Sequence, residues 1–289
     1  MSTSEAMALD ELVDTARYPL SDLESSAGAA VVDRARRELA ADGCTVLPDF
    51  VRRSLQETLQ QECAAIAPRA HFDVATVNVY NMAVDSDLPE DHPGRMAFER
   101  GNAFVARDRV PADSLISRLY SHTLFQQFVA RCFELDELHE LADPLSGLVL
   151  NVVQPGMEHP WHFDTNEFTV SMLTQEAEDG GIFEYCPNIR SAEDENFGDV
   201  RDVLQGHGEQ LTSRLHLRPG DLQLFKGRYS LHRVSPVAGR VARHSAIFAY
   251  SERPGVIGSI SRTEQLFGRV LAEHRLAAGQ AVRGDRLLD

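Results

Sequence analysis

The chain has 289 residues, of which 43% are hydrophobic and 25% charged, the composition of an ordinary globular protein with one large core or two small ones. Its formal net charge of −16 argues against nucleic-acid backbones and anionic membrane surfaces as partners. No apolar run reaches the roughly 18 residues that would cross a membrane as a helix, so we expect no membrane partner.

The first half of the chain predicts helices with short strands between them. Residues 1–26 are polar, and we expect a loosely ordered segment without the basic-then-apolar pattern of a signal peptide. Beyond them, apolar residues at helical spacing end at glycine or proline, and β-branched residues mark extended chain. The predicted elements are a helix at 29–41, a strand at 44–47, a helix at 51–66, a strand at 72–80, an acidic loop at 85–94 and a helix at 121–134.

The cysteines are scattered along the chain and have no zinc-type spacing. A chain of this length does not need disulfides to fold. The cysteines are Cys44, Cys63, Cys132 and Cys186. We therefore expect reduced thiols, mostly in the core, and a cytoplasmic protein.

After residue 147 the pattern changes to short strands separated by turn residues. The predicted strands are 148–153, 167–173, 181–185, 214–217, 222–225, 231–234 and 241–250, with an acidic insertion at 186–210, a helical stretch in it at 200–204, and a closing helix at 262–276. Many short strands with turn signals indicate a sandwich or barrel. We predict a mainly β fold with flanking helices, in one domain at 27–289. Its core, about 145–251, is a double-stranded β-helix, the jelly roll or cupin-like barrel.

A His-x-Asp motif provides the candidate metal ligands. In extended chain, His162 and Asp164 point to the same face and can present an imidazole nitrogen and a carboxylate oxygen to one ion. Trp161 alternates with them and should face away. A distant histidine in an apolar strand, His232, would complete a 2-His-1-carboxylate triad, which suits non-haem Fe(II). A lone His-x-Asp pair is weak evidence, and buried structural polar residues are the alternative.

A second set of polar residues lies on the predicted strands around this motif. Arg243 stands inside an apolar strand, where a guanidinium needs an anionic partner, either an internal carboxylate or a bound ligand. Ser245 is two residues further on and shares its face. Asn151 lies on the strand that leads into the motif, where a ligand contact and a structural amide are equally open. Arg240 competes with Arg243 but occupies a Gly-Arg turn.

In order and spacing, these residues resemble the 2-oxoglutarate- and iron-dependent dioxygenase superfamily. That family has His-x-Asp, a long insertion, a distal histidine and, about ten residues later, Arg-x-Ser. Here the positions are His162, Asp164, His232, Arg243 and Ser245. The resemblance implies a jelly-roll core, Fe(II), 2-oxoglutarate as cosubstrate bound through Arg243 and Ser245, and O2. It also implies conversion of 2-oxoglutarate to succinate and CO2 while a C–H bond of the substrate is hydroxylated.

The segment around the motif resembles more narrowly a branch that acts on free amino acids and contains hydroxylases and radical halogenases. The halogenases have Gly or Ala in place of the carboxylate, which leaves room for chloride. This chain has Asp164 there, so we expect hydroxylation of a small substrate, a free amino acid.

The same branch implies the substrate-binding residues. The residue matching His159 contacts the substrate, and Thr165 stands where lysine-type members have an acid, so we expect a neutral rather than basic amino acid. A substrate carboxylate also needs a guanidinium, for which Arg100 is preferred over Arg107. Surface charge for the arginines and a structural hydrogen bond for His159 are the alternatives.

Two other functions stay open at this stage. A phytanoyl-CoA-like hydroxylase would act on a larger substrate. A cupin-like metal protein without oxygenase activity, such as a zinc hydrolase, an isomerase or a ligand sensor, could use the same triad. The oligomeric state, and whether the 85–94 loop or the 186–210 insertion acts as a lid, are not predicted.

Overall fold

The computed structural model describes residues 9–279 and 287–288. The helices are α1 Leu9–Leu12, α2 Ser26–Asp42, α3 Arg53–Ile66, α4 Leu115–Tyr120, α5 Thr123–Cys132, α6 Phe197–Leu204, α7 Ile260–Phe267 and α8 Ala272–Leu276. The strands are β1 Cys44–Leu47, β2 His71–Val77, β3 Phe98–Val105, β4 His139–Glu140, β5 Leu148–Val153, β6 His159–His162, β7 Thr169–Gln175, β8 Asp179–Gly180, β9 Phe183–Cys186, β10 Ser213–Leu215, β11 Leu222–Phe225, β12 Leu231–Val234, β13 Val237–Ala238, β14 Arg243–Phe248 and β15 Tyr250–Ser251.

The strands form two main antiparallel sheets. The large sheet has the order β1-β11-β7-β14-β5-β3-β2, and the small sheet has the order β10-β9-β12-β6. Consecutive strands of the second half alternate between the sheets, so that β5 and β7 lie in the large sheet and β6 and β9 in the small one. This is the arrangement of a jelly roll. It confirms the predicted mainly β fold with flanking helices.

The main hydrophobic core lies between the helices and the outer face of the large sheet. Alternate residues of β5, namely Leu148, Leu150 and Val152, belong to this core together with residues of α2, α3, α4 and α5. The intervening residues of β5 point to the inner face, toward the small sheet. Each fully buried aliphatic side chain stabilises the fold by roughly 1.5–3 kcal/mol. The helices therefore fix the large sheet from outside and leave its inner face for polar side chains.

Several predicted elements agree closely with the structure. Strands β5, β11 and β12 have the predicted bounds, and α2, β1 and α3 lie at or within two or three residues of them. The four cysteines are buried free thiols. None of the helices in the described ranges is long and apolar enough to cross a membrane.

Other elements differ from the predictions. Strand β3 was not predicted, because its Glu-Arg-Gly-Asn run is not β-rich, yet it pairs with β2 from Phe98 to Phe104 and with β5 at residues 103–105. Residues 78–80 do not continue β2 but form a turn. The single closing helix is wrong, because Gly268 with a φ of +65° ends α7 before α8 begins.

The expected loose order of residues 1–26 is also wrong for the part that the structure describes. Five residues of this segment are almost fully buried in the main core: Leu9, Leu12, Val13, Tyr18 and Leu20. Residues 1–8 lie outside the described ranges. In the sequence, polar residues separate the five apolar ones, so the composition of the segment does not indicate a core element. In the structure, the five side chains pack in the main core with residues of α2–α5.

The acidic loop and the insertion lie against each other. Arg201 of α6 forms an ion pair of 3.0 Å with Asp91, and the rings of Phe197 and His92 are 4.3 Å apart. The insertion also packs on the small sheet, where Val200 and Val203 share a cluster with Trp161. The two segments therefore cover one side of the barrel together.

Candidate metal and cosubstrate site

The two histidines of the predicted triad meet across neighbouring strands. His162 ends β6 and His232 lies in β12, and the two residues are paired in the ladder. Asp164 Oδ1 lies 3.5 Å from His232 Nε2 and 3.7 Å from His162 Nε2. One potential ligand atom from each residue lies within 4.8 Å of the other two. Two imidazole nitrogens and one carboxylate oxygen form the donor set of a non-haem Fe(II) site, so the residues fit this metal.

Backbone carbonyl groups orient both imidazole rings. The Nδ1–H group of His162 donates to the Pro160 carbonyl at 2.8 Å, and that of His232 donates to the Ser230 carbonyl at 3.0 Å. A proton on Nδ1 leaves the Nε2 lone pair for a metal. Burial, and then the neighbouring imidazoles, lower the pKa of His162 well below its usual value. The Nε2 atom of each ring is thus directed to the site and free for a metal.

Two residues that were not predicted hold the carboxylate of Asp164. The Thr169 hydroxyl donates to Asp164 Oδ2 at 2.6 Å, and the Asp164 amide donates to the Gly227 carbonyl at 3.0 Å. A Cβ atom at Gly227 would collide with this carboxylate. Burial alone would raise the pKa of Asp164, but the imidazoles of His232 and His162 outweigh it and hold the pKa below the usual range. Asp164 is therefore an oriented, ionised ligand.

Arg243 lies on the inner face of the large sheet with no acidic partner. Its side chain is buried, and its guanidinium donates to Ser245 Oγ at 2.6 Å without an ion pair to any described carboxylate. Burial lowers its pKa to about 10. A cavity of about 240 Å³ adjoins it, lined also by Leu173, Gly181 and Phe183. A buried guanidinium of this kind fits one carboxylate of a dicarboxylate such as 2-oxoglutarate.

The third predicted cosubstrate residue lies beside this pair. Asn151 of β5 is directly opposite Ser245 of β14 in the antiparallel ladder. Its Oδ1 atom is buried and has no hydrogen-bond partner in the part of the chain described. The structure therefore brings Asn151, Arg243 and Ser245 together on one face of the large sheet.

An irregularity in the small sheet brings His159 to the same side as the metal ligands. Residues three apart in a regular strand face opposite sides. Here the register shifts: His162 pairs with His232, and His159 pairs with Val234. A three-residue interval on β6 therefore lies opposite a two-residue interval on β12. The rings of His159 and His162 stack with centroids 3.8 Å apart. His159 Nε2 is buried and has no described partner. Burial, and then the charge of Arg100, lower the pKa of His159 well below its usual value.

Arg100 is also buried near the motif, whereas its competitor Arg107 is structural. Arg100 lies in β3, is 3% exposed and donates to Asn81 Oδ1 at 3.4 Å. Asn81 has a left-handed φ of +58°, and its amide donates to the Phe163 carbonyl at 2.9 Å. Arg107 instead donates to Ser117 Oγ at 3.0 Å. Asn81, which was not predicted, thus connects Arg100 to the segment that carries the metal ligands.

Three side chains near the motif lie outside the site. Trp161 packs against the insertion on the outer face of the small sheet, as predicted. Glu184 is buried on the same face and pairs with Arg214 at 2.7 Å and Arg233 at 2.6 Å. The side chain of Thr165 is exposed, so the structure does not group it with the other predicted substrate residues.

One cation near the site was missed altogether. Arg262 lies in α7, within the stretch predicted only as a closing helix. Its charge acts on His159, and burial, followed by the charge of Arg100, lowers its own pKa to about 9. The carboxylate of Asp164 has the opposite effect on it. Arg262 therefore belongs to the electrostatic surroundings of the triad.

Comparison with known proteins agrees with this site. The family model HalD, described as Halogenase D, matches residues 27–265. No curated protein sequence matches the chain. Among solved structures, the non-heme alpha ketoglutarate dependent carbocyclase SnoK from nogalamycin biosynthesis has 15% identity and a TM-score of 0.52, with coverage of 75% of this chain and 82% of that one.

Two further structures have similar scores. The non-heme alpha ketoglutarate dependent epimerase SnoN from nogalamycin biosynthesis has 14% identity, a TM-score of 0.50 and coverage of 77% and 83%. A 2OG-Fe(II) oxygenase family protein from Burkholderia pseudomallei has 16% identity, a TM-score of 0.49 and coverage of 78% and 92%. At this identity the likeness concerns the fold. With the family match over most of its length and a His-Asp-His triad in this fold, the chain belongs to the halogenase D family, within the superfamily of oxygenases that use Fe(II) and 2-oxoglutarate.

Proposed function

We propose that the protein hydroxylates an unactivated C–H bond of a small substrate, a free amino acid, with Fe(II), 2-oxoglutarate and O2. The observation that supports this most directly is the carboxylate of Asp164 beside His162 Nε2 and His232 Nε2. Those three residues would hold the metal. With 2-oxoglutarate and O2, iron supplies the oxidising chemistry that replaces C–H by C–OH, and the protein supplies binding and orientation.

Arg243 would bind the carboxylate of 2-oxoglutarate that is remote from the metal. Its guanidinium is already held by Ser245 and has no acid to pair with among the described side chains, so binding costs little reorganisation. A charge-assisted hydrogen bond to a buried guanidinium is stronger than a neutral one. Asn151 has a free buried oxygen opposite Ser245 and is placed to contact the cosubstrate or a water bound with it.

Hydroxylation is proposed rather than halogenation, although the family is named for a halogenase. The halogenases that the sequence resembles have Gly or Ala where this chain has Asp164. Here the carboxylate is hydrogen-bonded by Thr169 and fitted against Gly227, so it occupies the position that a halide would need. The contacts of Thr169 and Gly227 with Asp164 favour a permanent carboxylate ligand.

The amino-acid substrate is proposed from the groups around the triad. His159 presents an unpartnered buried Nε2, and Arg100 presents a buried guanidinium, on the two sides of the contact between β3 and β6. Together they would bind an α-carboxylate. Thr165 stands where the lysine-type members have an acid, and it provides none for a basic side chain. A basic substrate is therefore disfavoured.

The test is succinate release with Fe(II), 2-oxoglutarate and O2 across the twenty amino acids, their amides and acyl-CoA thioesters, in buffer with and without chloride. We expect hydroxylated product from at least one free amino acid and no chlorinated product. Mass spectrometry of the products separates the two reactions. Hydroxylation of acyl-CoA thioesters alone would refute the amino-acid substrate, and chlorination by the unmodified enzyme would refute the reaction type.

A further inference from the structure

Three guanidinium groups surround the triad, and the cosubstrate accounts for one of them. Arg243 is assigned above to 2-oxoglutarate. Arg100 donates to the amide oxygen of Asn81 at 3.4 Å, and Arg262 donates to Gln265 Oε1 at 2.7 Å within its own helix. In the described ranges neither arginine forms an ion pair. Arg100 is buried and Arg262 is partly buried. Two cations near the site therefore have no carboxylate partner, and a cation withdrawn from water is stabilised by one.

The packing of α7 places Arg262 toward the inside of the barrel. Leu266 and Phe267 of this helix pack with Phe104 and Val149, which lie on inner-facing positions of β3 and β5. Arg262 lies one turn before Leu266, on the same helix face. Helix α7 contacts β3, and β3 in turn contacts β6 with its histidines. Helix α7, which carries Arg262, is thus joined through β3 to the strand that carries His159 and His162.

The position of Arg262 within the helix is unfavourable unless an anion is bound. Ser259 caps the N-terminus of α7 and accepts a hydrogen bond from the Arg262 amide at 3.3 Å. The partial positive charge of a helix N-terminus repels a cation in the first turn. The charge of Arg100 adds to this repulsion, and both are relieved by a negatively charged ligand.

The acidic residues nearby do not supply that negative charge. Asp164 is oriented by Thr169 and belongs to the metal triad. Asp73 acts on Arg100, but it is exposed, and no ion pair joins the two. The substrate side of the site therefore has an excess of positive charge.

We propose that Arg262 binds a second carboxylate of the substrate, beside the one at Arg100 and His159, so that the substrate is an amino acid with an acidic side chain. This inference rests on the proposed function and narrows its substrate class. A neutral or basic amino acid would leave the partly buried Arg262 without a carboxylate partner in the complex, whereas a side-chain carboxylate provides charge-assisted hydrogen bonds.

Binding without turnover tests this proposal separately from the reaction. L-aspartate, L-glutamate, L-asparagine and L-glutamine are titrated by anaerobic calorimetry into enzyme with Fe(II) and saturating 2-oxoglutarate. Each acid and its amide have nearly the same size, so the difference between their affinities reports the contribution of the second carboxylate. We expect at least one acid to bind about 10- to 150-fold more tightly than its amide, which is the range for losing one charged hydrogen bond.

Variants locate the effect. Arg262→Met should remove the preference for the acid over its amide, while Fe(II) and 2-oxoglutarate still bind. Arg262→Lys should retain part of this preference. The control Arg240→Met changes an arginine that is 92% exposed and should leave the preference intact. Equal binding of acids and amides, no binding of either acid, or an unchanged preference in Arg262→Met would each overturn the proposal. If an acid binds as expected but no amino acid is hydroxylated in air, the proposed function fails and the assignment of Arg262 stands.

Discussion

At the scale of single residues, each proposed metal ligand has one atom bonded to the protein and one left for the metal. Asp164 accepts from Thr169 through Oδ2 and keeps Oδ1 near the imidazoles. His162 and His232 donate through Nδ1 and keep Nε2. Partners of this kind typically change metal affinity or activity by about 10- to 100-fold when they are lost. The site is thus prearranged by ordinary hydrogen bonds.

The assignment of Arg243 gives a prediction at this scale. Arg243→Ala removes a charged hydrogen-bond donor whose loss costs roughly 1.5–3 kcal/mol, or about 10- to 150-fold in binding. We expect the KM for 2-oxoglutarate to rise by this factor, while Fe(II) affinity, measured anaerobically, changes little. The measurement is succinate release as a function of 2-oxoglutarate concentration.

Arg240→Ala is the matched control, because Arg240 lies three residues away and its side chain is 92% exposed. Its KM for 2-oxoglutarate should equal that of the wild type. A rise in Arg240→Ala with no rise in Arg243→Ala would move the cosubstrate site to the turn and contradict the present assignment.

At the scale of elements, small irregularities bring the site together. The register shift between β6 and β12 rotates His159 to the side of His162. The end of α7 allows the helix to approach the sheet, since Gly268 has a φ of +65° and lies against His71 at the start of β2. The register shift places the His159 imidazole where a regular strand would not place it. The end of α7 brings Gly268 against His71, which a longer helix would not allow.

The close approach of α7 predicts an unusual sensitivity at Gly268. A Cβ atom there would lie 2.5 Å from His71 Cε1, and the left-handed φ costs a non-glycine residue about 1–2 kcal/mol. Overpacking adds about 1–3 kcal/mol. We expect Gly268→Ala to lower the free energy of unfolding, measured by urea denaturation, by the sum of the conformational and overpacking costs.

Gly255→Ala separates the two contributions. Gly255 has a similar φ of +79°, but nothing lies within 4 Å of a Cβ atom at this position. Gly255→Ala should therefore lower the free energy of unfolding by the conformational cost alone. Equal loss in the two variants would show that α7 does not pack closely on β2.

At the scale of the whole molecule, the C-terminal residues are bound next to the motif. The Leu288 carbonyl accepts from Arg190 Nη1 at 3.2 Å, and the Leu288 amide donates to Glu195 Oε1 at 2.6 Å. The Arg190 guanidinium lies 3.8 Å from the centre of the Phe163 ring. Phe163 stands in the sequence between His162 and Asp164, the two proposed metal ligands of the motif. The end of the chain therefore supports the segment that carries the site.

Deletion of residues 287–289 should consequently destabilise the protein. The deletion takes hydrogen-bond partners from the buried Arg190 and from Glu195, and losing one bond to a charged group costs roughly 1.5–3 kcal/mol. We expect a decrease of this size in the free energy of unfolding, measured by urea denaturation, together with weaker Fe(II) binding.

The comparison is Asp91→Asn, which breaks the more exposed ion pair with Arg201. Such pairs contribute about 0–1 kcal/mol. A deletion that costs no more than Asp91→Asn would mean that the C-terminal residues are dispensable.

Most of the β core could be predicted, because β5, β11 and β12 are apolar strands bounded by turn residues. The same local reasoning failed for β3 and for residues 9–20. Strand β3 contains charged residues and Gly101 and is extended because β2 pairs with it along most of its length and β5 pairs with its last residues. The burial of residues 9–20 follows from packing with helices that lie elsewhere in the chain. In both cases tertiary partners outweigh local propensity.

By itself, the sequence indicated the pairs His162/Asp164 and Arg243/Ser245, because the spacing of each pair places both members on one face of a strand. The order of these pairs and of His232, which resembles that of the superfamily, completed the candidate triad and implied the cosubstrate. The sequence also determined the fold class, through strand periodicity and turn residues. Only the tertiary structure decided that Thr169 and Gly227 hold Asp164, and that Asn81 and Arg262 lie beside the site. Their relation to the triad depends on strand pairing and helix packing between segments far apart in the chain, and neither leaves a pattern at the residues themselves.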